Sequence, residues 1–338
     1  VKYQKVSSSK DMITKLGLDK SSAKLLPIGT VSYSSRATIG KIAINEIEVS
    51  TNQGFTNFIC NDDLYNYYLA YCLSNFTNDI VSLSNSTTFK EVSKSSFKSF
   101  QIPLPPLAEQ KRIVAKLDSL FEKIDKAIEL HQQNITNANT LMASTLDKTF
   151  KKLEGEYSKS TLESITDNFD GKRKPIKSSD REKLKGEYPY YGASGIIDYV
   201  NDYIYDGEYI LISEDVANLV ARKYPIAFIA SGKFWVNNHA HILSAKAGMT
   251  NNHFICYAFA QLDISEYITG SAQPKLSQKK LNEISIVLPP LPIQQKTVEY
   301  LDSIATKVDK IKQLNEQKLE NLKALKASIL DKAFRGEL

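Results

Sequence analysis

Cysteine is scarce in this chain: Cys60, Cys72 and Cys256 are the three in 338 residues, and no two of them stand as CxxC. A disulfide framework and a zinc cluster of the usual spacing are therefore not expected. No secretory leader and no apolar run long enough for a bilayer is present, so a soluble, cytoplasmic protein without membrane contacts is expected. The glycine loops that cradle phosphates are missing: there is no GxxxxGK followed by Ser or Thr, and no GxGxxG between strand and helix. No Asp-Pro-Pro or Asn-Pro-Pro followed by an aromatic residue occurs, and both Pro-Pro pairs are flanked by leucines. No serine sits in a GxSxG elbow, and no HExxH occurs. His239-Ala240-His241 would set two imidazoles on one strand face. Without a nearby carboxylate pair, two histidines that simply hydrogen-bond are the simpler reading, and no metal is expected. Catalysis has no address in this sequence.

What is present is ordinary in bulk, with 42% hydrophobic and 24% charged residues, as in a soluble globular protein. The length suffices for two or more domains with real cores. A formal net charge of +5 and a pI near 8.8 permit nucleic-acid binding without arguing for it alone.

The organising feature is a repeat. Residues 102–150 return without a gap as residues 286–334, 184 positions further on, with roughly half the positions identical. Leu104-Pro105-Pro106-Leu107 matches Leu288-Pro289-Pro290-Leu291, and Leu117-Asp118-Ser119 matches Leu301-Asp302-Ser303. Each copy predicts one long helix. Pro-Pro suits its entrance, and Gly155 and Gly336 suit its end. Apolar residues recur at spacings of three and four through Ile113, Leu117, Leu120 and Ile124, and again through Val298, Leu301, Ile304 and Val308. That is a coiled-coil-like seam, weakened in the first copy at the polar run 131–134. A helix of that length, near 70 Å at ~1.5 Å per residue, cannot bury its own stripe. Antiparallel pairing of the two copies with pseudo-two-fold symmetry is expected, leaving apolar surface for a partner protein. Ile113, Leu117, Ile124, Leu301, Val308 and Leu322 are the expected seam and docking residues.

Around the helices lie two globular segments, giving an α+β chain in four parts: 1–101, the first helix at 102–157, 158–285, and the second helix at 286–338. Both globules show strands, a loop and a short aromatic helix in the same order, while their loops differ. Polar and basic residues gather in those loops. The first globule offers Ser35, Arg36, Thr38, Lys41, Asn52, Gln53 and Lys90. The second offers Lys172, Arg173, Lys174, Tyr191, Ser194, Arg222, Lys223, Lys233, Asn237, His239, Gln273 and Lys275. Arg and Lys neutralise phosphates, and Asn, Gln and Arg pair with base edges. The bland alternative for each is a solvated loop residue.

On the LPPL entrances followed by Gln110 and Gln294, the paired LDS motifs, Ser35-Arg36-Ala37-Thr38-Ile39-Gly40, Ser50-Thr51-Asn52-Gln53-Gly54-Phe55, Tyr191-Gly192-Ala193-Ser194-Gly195 and Gln273-Pro274-Lys275-Leu276-Ser277, the chain closely resembles the specificity subunits of type I restriction-modification systems. The resemblance covers nearly the whole chain. It implies two target-recognition domains, each reading half of a bipartite double-stranded DNA site, and helices that dock two modification (methyltransferase) subunits, with restriction subunits joining through these. It implies no catalytic activity and no cofactor on this chain, since S-adenosylmethionine, ATP and Mg belong to the partners. One departure stands out: Gly29 follows only 28 residues, whereas Gly207 lies about 49 beyond the start of its globule. The first domain offers no counterparts of residues 158–185, and a second specificity chain or an N-terminal fragment is a candidate to supply them. A protein-only coiled-coil scaffold with two interaction heads is the alternative, and an enzyme centred on His239 and His241 a third.

Overall fold

The computed structural model describes residues 3–83, 91–214, 219, 225–269 and 275–338. The chain divides into two compact units, residues 1–134 with 314–338, and residues 135–313. Both are α+β.

The first unit contains β1 (Gln4–Val6), α1 (Lys15–Asp19), β2 (Val31–Ser34), β3 (Ile42–Asn45), β4 (Phe55–Phe58), α2 (Asn66–Asn75), α3 (Thr77–Ser82) and α4 (Lys94–Ser99), and then the long helix α5 (Leu107–Glu156) begins. Its sheet runs β1-β3-β2-β4, with β1 parallel to β3 and the other pairs antiparallel. Gly40 makes the turn between β2 and β3 at φ 96°, where a side chain would be strained. α2 buries an unbroken run from Tyr68 to Leu73. Its Tyr71 packs edge-on to Phe121 of α5 and donates its hydroxyl to Asp118 Oδ1 at 2.6 Å.

The seam of α5 therefore has two neighbours. Ile113, Leu117 and Ile124 are buried in one core with the tyrosines of α2 and with Leu330 and Ala333 of the second long helix, against which Leu322 also packs. The repeat predicts that helix pairing covers part of this stripe and leaves the rest for a partner protein. The head's aromatic helix covers it as well, because α2 brings large rings that a second helix would not supply. Within this unit the two long helices run antiparallel, with Arg112 donating to the Leu338 carbonyl at 2.7 Å, Lys326 paired to Asp125 at 2.6 Å, and His131 bonded to Asn315 at 2.7 Å.

The second unit contains β5 (Lys159–Thr161), α6 (Leu162–Ile165), β6 (Thr166–Asn168), α7 (Ser178–Arg181), β7 (Lys185–Gly192), β8 (Gly195–Val200), β9 (Tyr205–Ser213), β10 (Ala227–Val236), β11 (Ala240–Ala245), α8 (Asn252–Gln261), β12 (Ile268–Thr269), β13 (Lys275–Leu276), α9 (Gln278–Glu283), β14 (Ser285–Val287) and the start of α10 (Leu291–Phe334). Its sheet runs β6-β11-β9-β10-β7-β8. The inner four strands, β7-β10-β9-β11, repeat the order of the first unit, and β7 is again the strand parallel to its neighbour. Leu301 joins Phe150, Phe254 and Ile255 in the core, and Val308 is also buried.

The stretch 188–195, expected as a loop, is instead the β7–β8 hairpin, turned at Gly195 with φ 126°. Pro189 and Gly192 break the alternation that marks a strand, which hid it. His239 lies in the turn before β11 rather than on the strand with His241.

Candidate nucleic-acid interface

In the second unit one chain of hydrogen bonds joins the candidates Tyr191, Asn237 and His239 and reaches the neighbour of Lys275. The Asn237 amide donates to the Tyr191 carbonyl, and the His239 amide donates to Asn237 Oδ1. The Glu214 amide donates to the His239 carbonyl, and the Leu276 amide, next to Lys275, donates to the Glu214 carbonyl. Trp235 clamps the basic turn by donating its indole N–H to the Lys174 carbonyl at 2.6 Å. Residues 70 or more positions apart in sequence thus share one rim. Lys172, Lys174 and Ser194 are exposed on it, Tyr191, His239 and Lys275 are half-buried, and Lys233 lies over the Tyr203 ring at 4.6 Å.

Two candidates face inward. Asn237 is buried. Arg173, expected in a solvated or phosphate-binding run, has a side chain only 17% exposed and pairs with Glu214 at 3.1 Å and Asp170 at 3.3 Å. It also donates to the Ala240 carbonyl. A cation committed to two carboxylates positions the turn, leaving Lys172 and Lys174 as its outward charges.

Behind these loops Asp170 and His241, 71 residues apart in sequence, form a buried pair. His241 Nε2 is 2.7 Å from the Leu276 carbonyl, which can only accept, so that nitrogen carries a proton. Its Nδ1 is 2.5 Å from Asp170 Oδ2, while Asp170 Oδ1 accepts from the Ile242 amide at 2.8 Å. Burial alone would lower the His241 pKa, but the hydrogen bond and charge of Asp170, the Leu276 carbonyl and Glu214 raise it above the ordinary value. Burial alone would raise Asp170, but His241, the Ile242 amide and Arg173 hold it below the usual carboxylate range. Both shifts favour the charged forms, and the pair ties the 170–174 turn, β11 and β13 together.

The first unit gathers its candidates differently. Ser35 is buried, and its amide and hydroxyl both donate to the Gly54 carbonyl, joining its loop to the Asn52–Gly54 turn. Arg36 pairs with Glu91 at 2.7 Å across an isolated bridge. Thr38, Lys41, Asn52 and Gln53 are exposed. Asn52 and Gln53 line a groove of about 870 Å³ that also holds Lys24, Lys94 and Lys98 and, among the described residues, no carboxylate. Lys94 and Lys98 stand one turn apart on α4 and Lys24 comes from the loop after α1, so the three meet only in the fold. Lys90, Arg222, Lys223 and Gln273 lie outside the described residues.

Both heads are fastened to their helices by the same device. Gln110 and Gln294, fully buried in the first turns of α5 and α10, are spaced 184 residues apart. Gln110 Nε2 donates to the Asp63 and Pro105 carbonyls, each at 2.8 Å, while its Oε1 accepts from the Tyr65 amide at 2.8 Å. Gln294 Nε2 donates to the Met249 carbonyl at 3.0 Å and the Pro289 carbonyl at 2.8 Å, and its Oε1 accepts from Thr250 Oγ1 at 2.8 Å. The aspartates of the two LDS motifs are matched too, since Tyr257 donates to Asp302 at 2.6 Å as Tyr71 does to Asp118.

Two heads of one strand order, unlike loops and a repeated buried lock define a two-headed chain built on an internal repeat. The model of the type I restriction modification DNA specificity domain matches residues 1–138 and 154–323. The chain belongs to that family and is a specificity subunit, the non-catalytic DNA-recognition component of type I restriction-modification systems. It is 25% identical over 377 residues to the type I restriction enzyme MjaIX specificity subunit of Methanocaldococcus jannaschii, covering 99% of this chain and 84% of that one. It is 25% identical over 321 residues to the EcoprrI specificity subunit of Escherichia coli, covering 87% and 76%. A putative specificity subunit of Haemophilus influenzae, S.HindORF215P, is 38% identical over 155 residues, which span 46% of this chain and 39% of that protein. The fold matches a chain from structural work on complex assembly and conformational transition of the type I R-M system, with TM-score 0.80 and 22% identity over 95% of this chain and 86% of that one. It also matches the HsdS subunit from Thermoanaerobacter tengcongensis, with TM-score 0.57 and 24% identity over 93% and 83%.

Proposed function

We propose that the chain reads an asymmetric, bipartite double-stranded DNA target, one half-site per head, and docks two modification subunits through which restriction subunits join. The observation that carries this reading is one strand order presented twice beneath different loop chemistry: a lysine-lined groove with Asn52 and Gln53 in the first head, and a rim of Lys172, Lys174, Tyr191, His239 and Lys275 in the second. Lysines supply sequence-independent affinity, and amides at the same surface supply base discrimination. Unlike loops require unlike half-sites. Docking of two similar subunits is supported by exposed leucines that recur with the repeat, Leu130 with Leu314 and Leu141 with Leu325. In this reading S-adenosylmethionine, ATP and Mg act on the partner subunits.

Methylation-aware sequencing of DNA from cells expressing the chain with its modification partner tests the whole. One asymmetric motif with two specified halves is the expected result. A palindromic or undivided motif would overturn the two-reader arrangement. Failure of the assembled complex to retain any duplex from a random pool would favour the protein-only scaffold.

A further inference from the structure

We propose that the second unit carries a socket, bounded by α5, α8 and α10, for an aromatic side chain with a basic group beside it, and that a docked modification subunit inserts both. The inference deepens the docking reading above and rests on it.

The first unit shows what fills this position there. Phe121 of α5 is fully buried, with Tyr71 edge-on to its ring. Lys326 of α10 lies over the same ring, its Nζ 4.9 Å from the centroid and 2.6 Å from Asp125 Oδ1. A π face and a carboxylate together hold the ammonium, and the lysine side chain is only 10% exposed.

The 184-residue repeat carries these positions into the second unit with two exchanges. Phe121 becomes Ala305 and Lys326 becomes Met142, while Asp125 returns as Asp309, Ile124 as Val308 and Leu330 as Leu146. The surrounding frame is the same in space. Phe150 packs on Phe254 of α8 as Phe334 packs on Tyr68 of α2, and Tyr257 holds Asp302 as Tyr71 holds Asp118. The frame keeps neither the ring nor the ammonium. In their place is an open pocket of about 450 Å³, walled by Met142, Leu146, Ile226, Ala260, Ala305 and Val308. Tyr257 is half-buried, where Tyr71 is fully buried. Asn139, Asp309 and Lys312 give the pocket its polar edge.

A ring exchanged for a methyl group leaves its former neighbours without contacts until something else fills the space. Alanine leaves the room, the methionine thioether adapts to an incoming ring, and Asp309 stands where the acceptor of the ammonium stands in the first unit. Nucleic acid would bring phosphates against that carboxylate. The first unit fills the position with two side chains of a polypeptide, and the second takes the same two groups from a partner polypeptide. The two docking positions are therefore unlike: one is filled from within, the other by what docks.

The probe is phenethylammonium, a ring and an ammonium on one short arm, titrated into the full chain labelled with carbon-13 at the methionine methyls. The chain has three methionines, Met12, Met142 and Met249, so each signal reports one place. A saturable ring-current shift at Met142, and none at the other two, is expected, with half-saturation at about 1–10 mM for a ligand of this size. Ala305→Phe should abolish that shift without lowering the urea midpoint, because the ring refills the frame. Asp309→Asn should weaken the probe at least about threefold and leave benzyl alcohol, which has no charge, unaffected. In the assembled complex Ala305→Phe should weaken one of the two modification subunits at least about tenfold and leave the other. No shift at Met142 up to about 50 mM probe, or both modification subunits held by Ala305→Phe as tightly as by wild type, would overturn the proposal. So would a probe that enters only after Tyr224, next to Pro225 in sequence, is changed to alanine, since the ring would then be this chain's own. A wild-type chain that binds no modification subunit at all would sink the docking reading itself.

Discussion

Replacing Gln294 by alanine should destabilise the second unit by about 3 kcal/mol. The side chain is fully buried and makes three hydrogen bonds, to the Met249 carbonyl, the Pro289 carbonyl and the Thr250 hydroxyl. Each such bond is worth about 1 kcal/mol net, and partners left unsatisfied in a buried site add to that. Gln294→Glu is the sharper variant. It keeps the volume but turns a donor toward two carbonyl oxygens into an acceptor, so it should be at least as harmful as alanine at pH 7. The glutamate's pKa would be raised in the folded state, so its defect should ease as pH falls. The assay is built into the chain: its single tryptophan, Trp235, lies in the second unit. Urea unfolding followed by Trp235 fluorescence should shift to lower midpoint for both Gln294 variants. For Gln110→Ala the fluorescence transition should move little while far-UV circular dichroism reports loss in the first unit. Gln294 variants within about 0.5 kcal/mol of wild type would refute the lock, since even one lost buried bond exceeds that.

Three further outcomes are expected. His241, raised above 6.5 in the folded state, contributes stability in full below that value and loses it as pH climbs through the raised pKa; Asp170, lowered from 3.8, contributes above 3.8 and loses it as pH falls through the depressed pKa. His241→Leu should therefore weaken the second unit most between those two values, by about 3 kcal/mol, and a urea-midpoint difference that stays flat from pH 3 to pH 9 would contradict the ion pair. Replacing Lys24, Lys94 and Lys98 together by alanine should weaken binding of the assembled complex to all sequences alike and reduce the salt slope by about 0.9 for each phosphate no longer neutralised, whereas Gln53→Ala should relax one base position by about 1–3 kcal/mol; titrations on target and non-target duplexes at several salt concentrations separate the two. Leu117→Asp or Leu301→Asp, placing a carboxylate where exposure is zero, should abolish the folded unit concerned and co-purification with the modification partner, and an intact complex carrying both changes would argue against the seam.

The long helices were legible in the sequence because a repeated apolar period bounded by proline and glycine is a local signal. The site was legible only in part. Asn52, Gln53, Lys172 and Lys174 are exposed, as loop chemistry suggested. Ser35, Asn237 and Arg173 are turned inward, because a polar side chain in a loop serves equally well to tie the loop down. Asp170 reads as one more surface acid until its partner, 71 residues on, is placed beside it. Lys24 likewise meets Lys94 and Lys98, which share α4, only in space. Gln110 and Gln294 were visible as repeated letters, but their role was not, since nearly all their partners are main-chain groups that carry no sequence signature.

That last point has an evolutionary consequence. Among the described residues the partners of Gln110 are all main-chain groups, and two of the three partners of Gln294 are main-chain carbonyls. Any residue presents a carbonyl there, so the junction accepts almost any head whose backbone arrives in the same place. Selection can hold the glutamine and its Pro-Pro entrance constant while the loops beyond it diverge freely. Exchange of head-coding DNA between related genes then asks the incoming head to keep only a few side chains at the junction, such as Tyr71 against Asp118, Tyr257 against Asp302 and Thr250 against Gln294.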